Sequence, residues 1–469
     1  MNNAKYYENI THPVYVADMP IGTRSFHDLL SNYSNIELIT RTGPIIGQSL
    51  EMNGTRIVQF ATANDHRTWR ASVFIDASYE GDLTRYSRAS YTWGRESNEQ
   101  YNEPAAGVHS YDTFNNFLPN HPVNGTFNNG SLVPFISPEK LNPTGSSDFN
   151  LQSYNYRLCA TTTKEKQVPF PKPDNYNANN FILLQRYIDS LVASGKYPSG
   201  VPILALLQIN HYSRGGCPRT DVYDMNGSFQ SAFTFDAVGL SNGYVNGTDE
   251  DRRRIAREIL DYLLGYVWYI LTSPDVPEFT RNDLRNYGLC NDQWPENNHI
   301  PPQLYVREAI RLVNENVFTQ NHVVSGLCRN DTIALGSYSH DIHMITRTLN
   351  QSHANNEGSV DFNIAKLNGS KSDSAFEIPA SILLPKQSEV TNLLVPVCHA
   401  ASHIAYGATR MEPTFMLLGE VAGHFASFSI RHGHIDVQNV DVKSIQRALE
   451  QDGILLHYPP GHCDSSANE

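Results

Sequence analysis

The sequence predicts an α/β protein with an inserted α+β segment, and two observations lead to this prediction. The first and last hundred residues alternate apolar strands with helical patterns, whereas residues 101–174 are rich in Asn, Pro, Gly and Ser and show little periodicity. Strand and helix patterns at both ends of a chain, separated by a segment of different character, are typical of a discontinuous domain with a second domain inserted in it. The predicted boundaries are residues 1–100 and 376–469 for the outer domain and residues 101–375 for the inserted domain.

The N-terminal hundred residues are expected to be rich in β-structure. After a helical pattern over residues 25–30 and an extended run over residues 36–41, two strands flank an Asn-Gly turn at Asn53 and Gly54. A further apolar strand ends at Asp76, where small and acidic residues follow. Such a strand end is where α/β proteins place ligands.

Helical patterns follow in the later parts of the chain. Apolar residues three to four apart predict helices over residues 181–194 and 249–272, the second behind an acidic first turn. A third helix is predicted over residues 303–316, which follow two prolines and carry the apolar residues Leu304, Ile310 and Val313. A capped terminal helix is predicted over residues 441–453. An apolar run over residues 415–430 contains two glycines. Together with the neighbouring strand and helix patterns, it makes the C-terminal segment look like part of an α/β domain.

The bulk composition excludes several classes of protein. With 469 residues, of which 40% are hydrophobic, the chain can bury a large core and does not have the composition of a disordered protein. A formal net charge of -13 argues against a nucleic acid as partner. The longest apolar stretch, residues 263–271, is too short to span a membrane, and the N-terminus has no pattern of an export signal. A small-molecule substrate is the expected partner.

The cysteines lie far apart and form no C-x-x-C pair, so neither a zinc ribbon nor a thioredoxin-type redox pair is predicted. We expect them to be free, buried thiols. They are Cys159, Cys217, Cys290, Cys328, Cys398 and Cys463.

Numerous N-x-S/T sequons favour secretion, although a chain rich in asparagine forms many by chance. The asparagines concerned are Asn9, Asn32, Asn53, Asn124, Asn129, Asn226, Asn246, Asn330, Asn350 and Asn368.

Several segments, in this order and spacing, cover nearly the whole chain: FIDASYEGDL, YTWGRES, QINHYS, PPQLYVREAIR, GSYSHDIH and NLLVPVCHAASHIAYGATRMEPTFMLLGEVAG. Together they resemble the FAD-dependent oxidoreductases of the glutathione-reductase-like superfamily, in particular the members labelled xanthan-lyase-like. The resemblance implies a Rossmann-like FAD-binding domain, an inserted substrate or cap domain, and redox chemistry with FAD as cofactor.

The chain departs from that family in one respect. No G-x-G-x-x-G occurs anywhere in it, whereas in the family this loop lets the backbone approach the pyrophosphate of FAD. We therefore expect that the chain begins after the glycine-rich unit, that its Rossmann-like domain is incomplete, and that it does not bind FAD without an upstream segment.

The resemblance implies cofactor contacts at Gly419 and Gly423, which would start an apolar helix next to the flavin. The alternative is that both glycines only allow close helix packing. It likewise implies that Asp76, Gly81 and Asp82 lie beside the cofactor, and the alternative there is an acidic loop that caps the following turn.

Polar residues in the C-terminal motif are candidates for the flavin and substrate site. His403 is a candidate general base, Arg410 would offset charge on the reduced flavin, and Glu412 would contact the cofactor or orient Arg410. The alternative is a buried ion pair that fixes a loop. A metal site at His399 and His403 lacks a third ligand and is not predicted.

The segment GSYSHDIH supplies a second candidate base, His343, beside Asp341. A histidine next to a carboxylate can accept a proton while a substrate C–H bond gives hydride to flavin. An ordinary loop histidine is the alternative.

The leading hypothesis is an FAD-dependent oxidoreductase that takes hydride from a small polar substrate. Two other functions stay open: a non-catalytic remnant that binds a partner or a sugar, and a polysaccharide lyase, as the family label suggests.

Overall fold

The chain forms helices and several small sheets around two large hydrophobic cores. The computed structural model describes residues 19–111, 116–211, 217, 219–228, 231–325, 328–362 and 375–458.

The α-helices within these ranges are α1 Met19–Ser31, α2 Asp82–Tyr86, α3 Ile182–Ala193, α4 Ile203–Leu206, α5 Asp249–Thr272, α6 Glu278–Leu284, α7 Gln320–Ser325, α8 His403–Thr409, α9 Glu412–Arg431 and α10 Val442–Gln451. Short 3-10 helices cover Lys164–Lys166, Ala178–Phe181, Pro295–Asn297, Ala380–Leu383 and Val437–Asn439.

The strands are β1 Ile45–Asn53, β2 Arg56–Thr62, β3 Thr68–Arg70, β4 Phe74–Ile75, β5 Tyr91–Thr92, β6 Leu158–Thr161, β7 Gln167–Val168, β8 Gln208–His211, β9 Val222–Asn226, β10 Gly288–Cys290, β11 Arg311–Leu312, β12 Thr332–Gly336, β13 His340–Ile342, β14 Thr346–Asn350, β15 His353–Glu357, β16 Val360–Phe362, β17 Phe376–Pro379 and β18 Leu393–Leu394.

The N-terminal region contains the predicted helix and hairpin. Helix α1 covers the predicted residues 25–30, and β1, β2 and β3 form an antiparallel sheet. Gly54 has a φ of 59° in the turn between β1 and β2, a backbone conformation that glycine adopts without strain. The extended run over residues 36–41 forms no strand.

Helix α5 has the bounds that its apolar periodicity predicted. It begins with a capping box, in which the hydroxyl of Thr248 accepts from the backbone of Asp251 and the carboxylate of Asp251 accepts from the backbone of Thr248. Nine of its side chains are buried in the larger core, and its first turns are charged. Within the described ranges, no helix has the length and apolar character needed to cross a bilayer. Helices α3, α9 and α10 confirm the other predicted helical segments except one.

The exception is the helix predicted over residues 303–316, which is wrong. The segment is extended and contributes only β11, which pairs with β5. Residues 306–312 are all buried, so the apolar spacing reflects a chain that passes through the core rather than one face of a helix.

A disulfide crosslinks the five-stranded antiparallel sheet, whose order is β7-β10-β6-β9-β8. It joins Cys159 of β6 to Cys290 of the neighbouring β10, with 5.6 Å between the Cα atoms. The prediction of free thiols is therefore wrong for this pair, because strand pairing brings together two cysteines that lie 131 residues apart. It is also wrong for Cys328, which is disulfide-bonded. Cys398 is a buried free thiol, as predicted.

An early and a late part of the chain meet in a parallel strand pair. Strand β4 lies beside β18, where the backbone N–H of Asp76 donates to the carbonyl of Leu394 at 2.9 Å. Helices α9 and α10 pack in the smaller core together with β12, β17 and the segment that follows β18. This arrangement positions the polar C-terminal motif, residues 396–412, between the two cores.

Candidate functional site

A cluster of buried ionisable side chains lies where the C-terminal motif meets the extended segment 305–312. Each member is at most 9% exposed. The members are Glu96, Asp236, Arg307, Glu308, Arg311, Asp341, His343, His403 and Arg410.

His403 and Glu308 form a hydrogen-bonded dyad inside this cluster. His403 is the first residue of α8, and Nδ1 of its ring lies 2.9 Å from Oε2 of Glu308. Its Nε2 is buried and makes no hydrogen bond to the residues that the structure describes. A carboxylate on one ring nitrogen fixes the orientation of a histidine, and the other nitrogen is then available to a substrate.

Two further side chains hold Glu308 as a carboxylate. Nε2 of Gln152 donates to Oε2 of Glu308 at 2.9 Å, and the guanidinium of Arg311 contacts Oε1. Arg311 also donates to Glu96 at 2.6 Å. Burial alone would raise the pKa of Glu308, but the charge that His403 carries once it is protonated and the charge of Arg311 outweigh it and lower that pKa to about 2.

His343, the second predicted base, lies between two carboxylates. Its Nδ1 is 2.9 Å from Oδ2 of Asp236, and its Nε2 is 3.4 Å from Oδ1 of Asp341. Arg307 completes this group at 3.1 Å from Asp236. Burial opposes ionisation of Asp236, yet His343 and Arg307 keep its pKa below the ordinary value. Both ring nitrogens of His343 thus face carboxylates, unlike those of His403.

Arg410 caps the C-terminus of α8 and pairs with Asp341. Its Nη2 lies 3.2 Å from Oδ2 of Asp341, and its Nε and Nη2 also donate to the backbone carbonyl of that residue. The side-chain partner of Arg410 comes from β13, and the charge of Glu412 also acts on Arg410. That Glu412 orients Arg410 stays a prediction. Glu412 lies beside Tyr79, whose pKa is raised first by burial and then by this carboxylate.

The N-terminus of α9 borders the cluster. Glu412 is its first residue, and the preceding Met411 caps it without a side-chain hydrogen bond, so amides of the first turn are left without a partner from the cap. Tyr305 is half-buried nearby, with the guanidinium groups of Arg157 and Arg307 4.9 and 5.3 Å from the centre of its ring.

Gly419 and Gly423 do not start a helix, because α9 begins seven and eleven residues before them. At 1.5 Å per residue they lie about 10 and about 16 Å along the helix from Glu412. A Cβ added at either glycine would meet no atom within 4 Å, so they do not serve close packing among the described residues either. Their contact with a cofactor stays a prediction.

We expect Gly419→Ala and Gly423→Ala each to stabilise the protein by about 0.5–1 kcal/mol, since the added methyl groups meet nothing and alanine favours helix. Urea unfolding measures this, and a riboflavin titration of the same variants tests the predicted contact with the cofactor, which unchanged affinities would contradict. Weaker riboflavin binding by either variant would show that the glycine does contact the flavin.

The predicted cofactor residues of the 76–84 loop have internal partners. Asp76 accepts hydrogen bonds from the backbone and hydroxyl groups of Ser78 and Thr84. Gly81 has a φ of 70°, and a Cβ there would approach Ile310 to 2.7 Å. These contacts agree with the alternative of a loop that caps α2, and the cofactor role of Asp76 and Gly81 stays a prediction.

Asp82 is the first residue of α2 and pairs with Arg252 of α5 at 2.8 and 3.0 Å. The side chain of Arg252 thereby joins two parts of the chain that lie far apart in sequence. A cofactor role for Asp82 stays a prediction.

The sequence analysis assigned no role to five members of the cluster, which are Glu96, Asp236, Arg307, Glu308 and Arg311. Four of them stand inside segments that carried the family resemblance, YTWGRES and PPQLYVREAIR. Charged residues within otherwise apolar segments were the signal that could have found them.

Comparison with known proteins gives one match. Residues 2–449 match the protein family described as FAD dependent oxidoreductase, a family whose cofactor is FAD. No curated protein and no solved structure matches the chain. The match covers nearly the whole chain, including the strand end at Asp76, the buried cluster and the helix that borders it. This chain therefore belongs to the family of FAD dependent oxidoreductases.

Proposed function

We propose that this chain oxidises a small polar substrate by hydride transfer, with His403 as the general base. The observation that carries the proposal is the buried dyad of His403 and Glu308, in which Nε2 of His403 has no hydrogen-bond partner among the described residues. A base with one nitrogen fixed and the other without a protein partner can accept a proton from a substrate that comes within hydrogen-bond distance. The finer resemblance to xanthan-lyase-like members stays a prediction.

For the fold, we propose an incomplete, discontinuous Rossmann-like domain formed by residues 1–100 and 376–469, with residues 101–375 as an inserted substrate domain. The parallel pairing of β4 with β18 supports it, since these strands come from the two proposed parts. Parallel neighbours need long crossover connections, and an inserted domain is one way to provide them.

The residues around the start of α9 fit the flavin ring. Its first-turn amides have no side-chain cap, and Nε of Arg307 and Oδ1 of Asn155 are buried without hydrogen-bond partners among the residues that the structure describes. Helix N-termini and arginine stabilise negative charge, which the reduced ring carries. Arg410 and the amides of α9 would hold the ring end. For the ADP end the chain offers no G-x-G-x-x-G, and we propose that binding of this moiety needs residues that the chain does not contain.

Bound FAD supplies the acceptor for the hydride of the substrate C–H bond. Nε2 of His403 takes the proton of the adjacent O–H or N–H group, while Glu308 keeps Nδ1 of the same ring in place. Arg311 and Gln152 keep Glu308 ionised and oriented. His343 is held by Asp236 and Asp341 and acts as a positioning residue for the Asp341–Arg410 pair. Burial of the dyad excludes water from the proton transfer.

An anaerobic reduction assay tests this proposal. The purified chain is loaded with riboflavin or FAD and exposed in turn to sugars, sugar acids, hydroxy acids and amines while the visible flavin absorption is recorded. We expect at least one of these classes to bleach the bound flavin. Bound flavin that no class reduces would instead support the alternative of a binding protein without catalysis, whose basis is the missing glycine-rich loop.

A further inference from the structure

The disulfides point to the compartment in which the protein folds. Cys159 and Cys290 are joined across two neighbouring strands, and Cys328 is also disulfide-bonded. Structural disulfides form and persist in oxidising compartments and are rare in the cytosol.

The same chain displays asparagine sequons on its surface. Of the eight sequons in the described ranges, seven have an exposed asparagine, and only Asn226 is partly buried. The exposed asparagines are Asn32, Asn53, Asn124, Asn129, Asn246, Asn330 and Asn350.

Two of these sequons have a geometry that the others lack. Oδ1 of Asn124 accepts hydrogen bonds from the backbone N–H and the hydroxyl of Thr126, both at 2.9 Å. Oδ1 of Asn129 accepts the same two bonds from Ser131, at 3.1 and 2.7 Å. In both, the amide oxygen is engaged by the hydroxyl residue of the sequon, and Nδ2 makes no hydrogen bond to the described residues.

The turns at Asn124 and Asn129 are local, so they can form before the rest of the chain has folded. Each turn spans three residues, and such side-chain to backbone turns form without tertiary contacts. By contrast, the sequon hydroxyl of Thr248 is bonded to Asp251, and that of Thr332 donates to Glu377 in the core. The turns at Asn124 and Asn129 are therefore available to a modifying enzyme both before and after folding.

We infer that Asn124 and Asn129 are N-glycosylated and that the protein matures in an oxidising secretory compartment. The donor is a lipid-linked oligosaccharide diphosphate. A bond forms between Nδ2 of the asparagine and C1 of the first sugar, the bond between C1 and the diphosphate oxygen breaks, and the amide loses one proton as the lipid diphosphate leaves. No oxidant or reductant takes part in this transfer.

Asn226 provides an internal contrast. Its Oδ1 accepts from Nδ2 of Asn155, from Nη2 of Arg307 and from the backbone N–H of Gly227. A glycan at Asn226 would force this amide out of the neighbourhood of the buried cluster. The folded protein should therefore carry no sugar there, although Asn226 has the same sequon as Asn129, Asn-Gly-Ser.

Glycopeptide mass spectrometry of the protein isolated from the organism that makes it tests the inference. We expect sugar on Asn124 and Asn129, an unmodified Asn226, and an oxidised Cys159–Cys290 pair. Peptide N-glycosidase should increase the mobility of the intact protein in gel electrophoresis. Unmodified Asn124 and Asn129, or a reduced cysteine pair in the isolated protein, would overturn the inference.

Matched variants separate glycan loss from misfolding. Thr126→Ala and Ser131→Ala keep the asparagines but remove the sequons, so each should lose one glycan. Thr126→Ser and Ser131→Thr keep the sequons and should retain both. A Thr126→Ala protein with undiminished sugar on Asn124, or a Thr126→Ser protein that loses it, would contradict the role given to the hydroxyl.

Discussion

Replacing His403 by glutamine is expected to slow the reduction of bound flavin about 100- to 10,000-fold, the usual contribution of a general base. A glutamine amide can still bond to Glu308, but it has no nitrogen that accepts a proton at neutral pH. The rate constant of flavin bleaching under anaerobic conditions measures the effect, with the substrate class that reduces the wild-type protein.

His399 is the matched control for this variant. It is also fully buried and lies four residues away, but its two ring nitrogens bond to the carbonyl of Pro396 and the hydroxyl of Thr409. Burial lowers the pKa of His399 to about 4. His399→Gln should leave the bleaching rate of the folded protein within about tenfold of the wild type, below the range expected for loss of a base. Equal rates for His403→Gln and the wild type would show that His403 is not the general base.

Replacing Glu308 by alanine is expected to lower the free energy of unfolding by about 3–5 kcal/mol, the usual cost of breaking a buried ion pair. Arg311 and His403 would keep their buried positions but lose the carboxylate between them, and Glu96 would be the remaining partner of Arg311. Urea unfolding at neutral pH measures this loss. A change below about 1 kcal/mol would mean that the cluster tolerates the loss of this charge.

The lowered pKa of Glu308 predicts that the free energy of unfolding depends on pH in the acid range. The pKa of Glu308 falls from 4.5 to about 2 on folding, so its contribution is fully present above about pH 4.5 and is lost as the pH falls toward 2. A shift of this size corresponds to about 3 kcal/mol. Glu308→Gln keeps the shape but cannot titrate, so its unfolding free energy should fall less steeply than that of the wild type in this window. Parallel curves would contradict the assignment.

Much of the fold could be predicted where local signals decide the structure. Helix α5 has the predicted bounds because a capping box and apolar residues at helical spacing act within a few turns of each other. The segment 303–316 was misread because side chains buried on all sides carry no periodicity that distinguishes an extended chain from a helix.

The candidate site was only partly predictable, because its contacts join distant parts of the chain. His403 and Glu308 lie 95 residues apart, and His343 and Asp236 lie 107 apart. The sequence named both histidines but not these two carboxylate partners, since pairing over such distances follows from the fold. For the same reason, the bond between Cys159 and Cys290 could not be predicted. The family, in contrast, was recognisable from short segments in a fixed order.

Comparison of riboflavin, FAD and ADP binding tests the central proposal, that the described residues hold the flavin ring, whereas the sequence offers no G-x-G-x-x-G loop for the ADP moiety. Quenching of flavin fluorescence on titration with the protein gives the two flavin affinities, and competition gives that of ADP. We expect riboflavin and FAD to bind with affinities within about threefold of each other, and ADP to displace neither. FAD binding at least about tenfold tighter than riboflavin, with displacement by ADP, would contradict the claim, as would the absence of riboflavin binding.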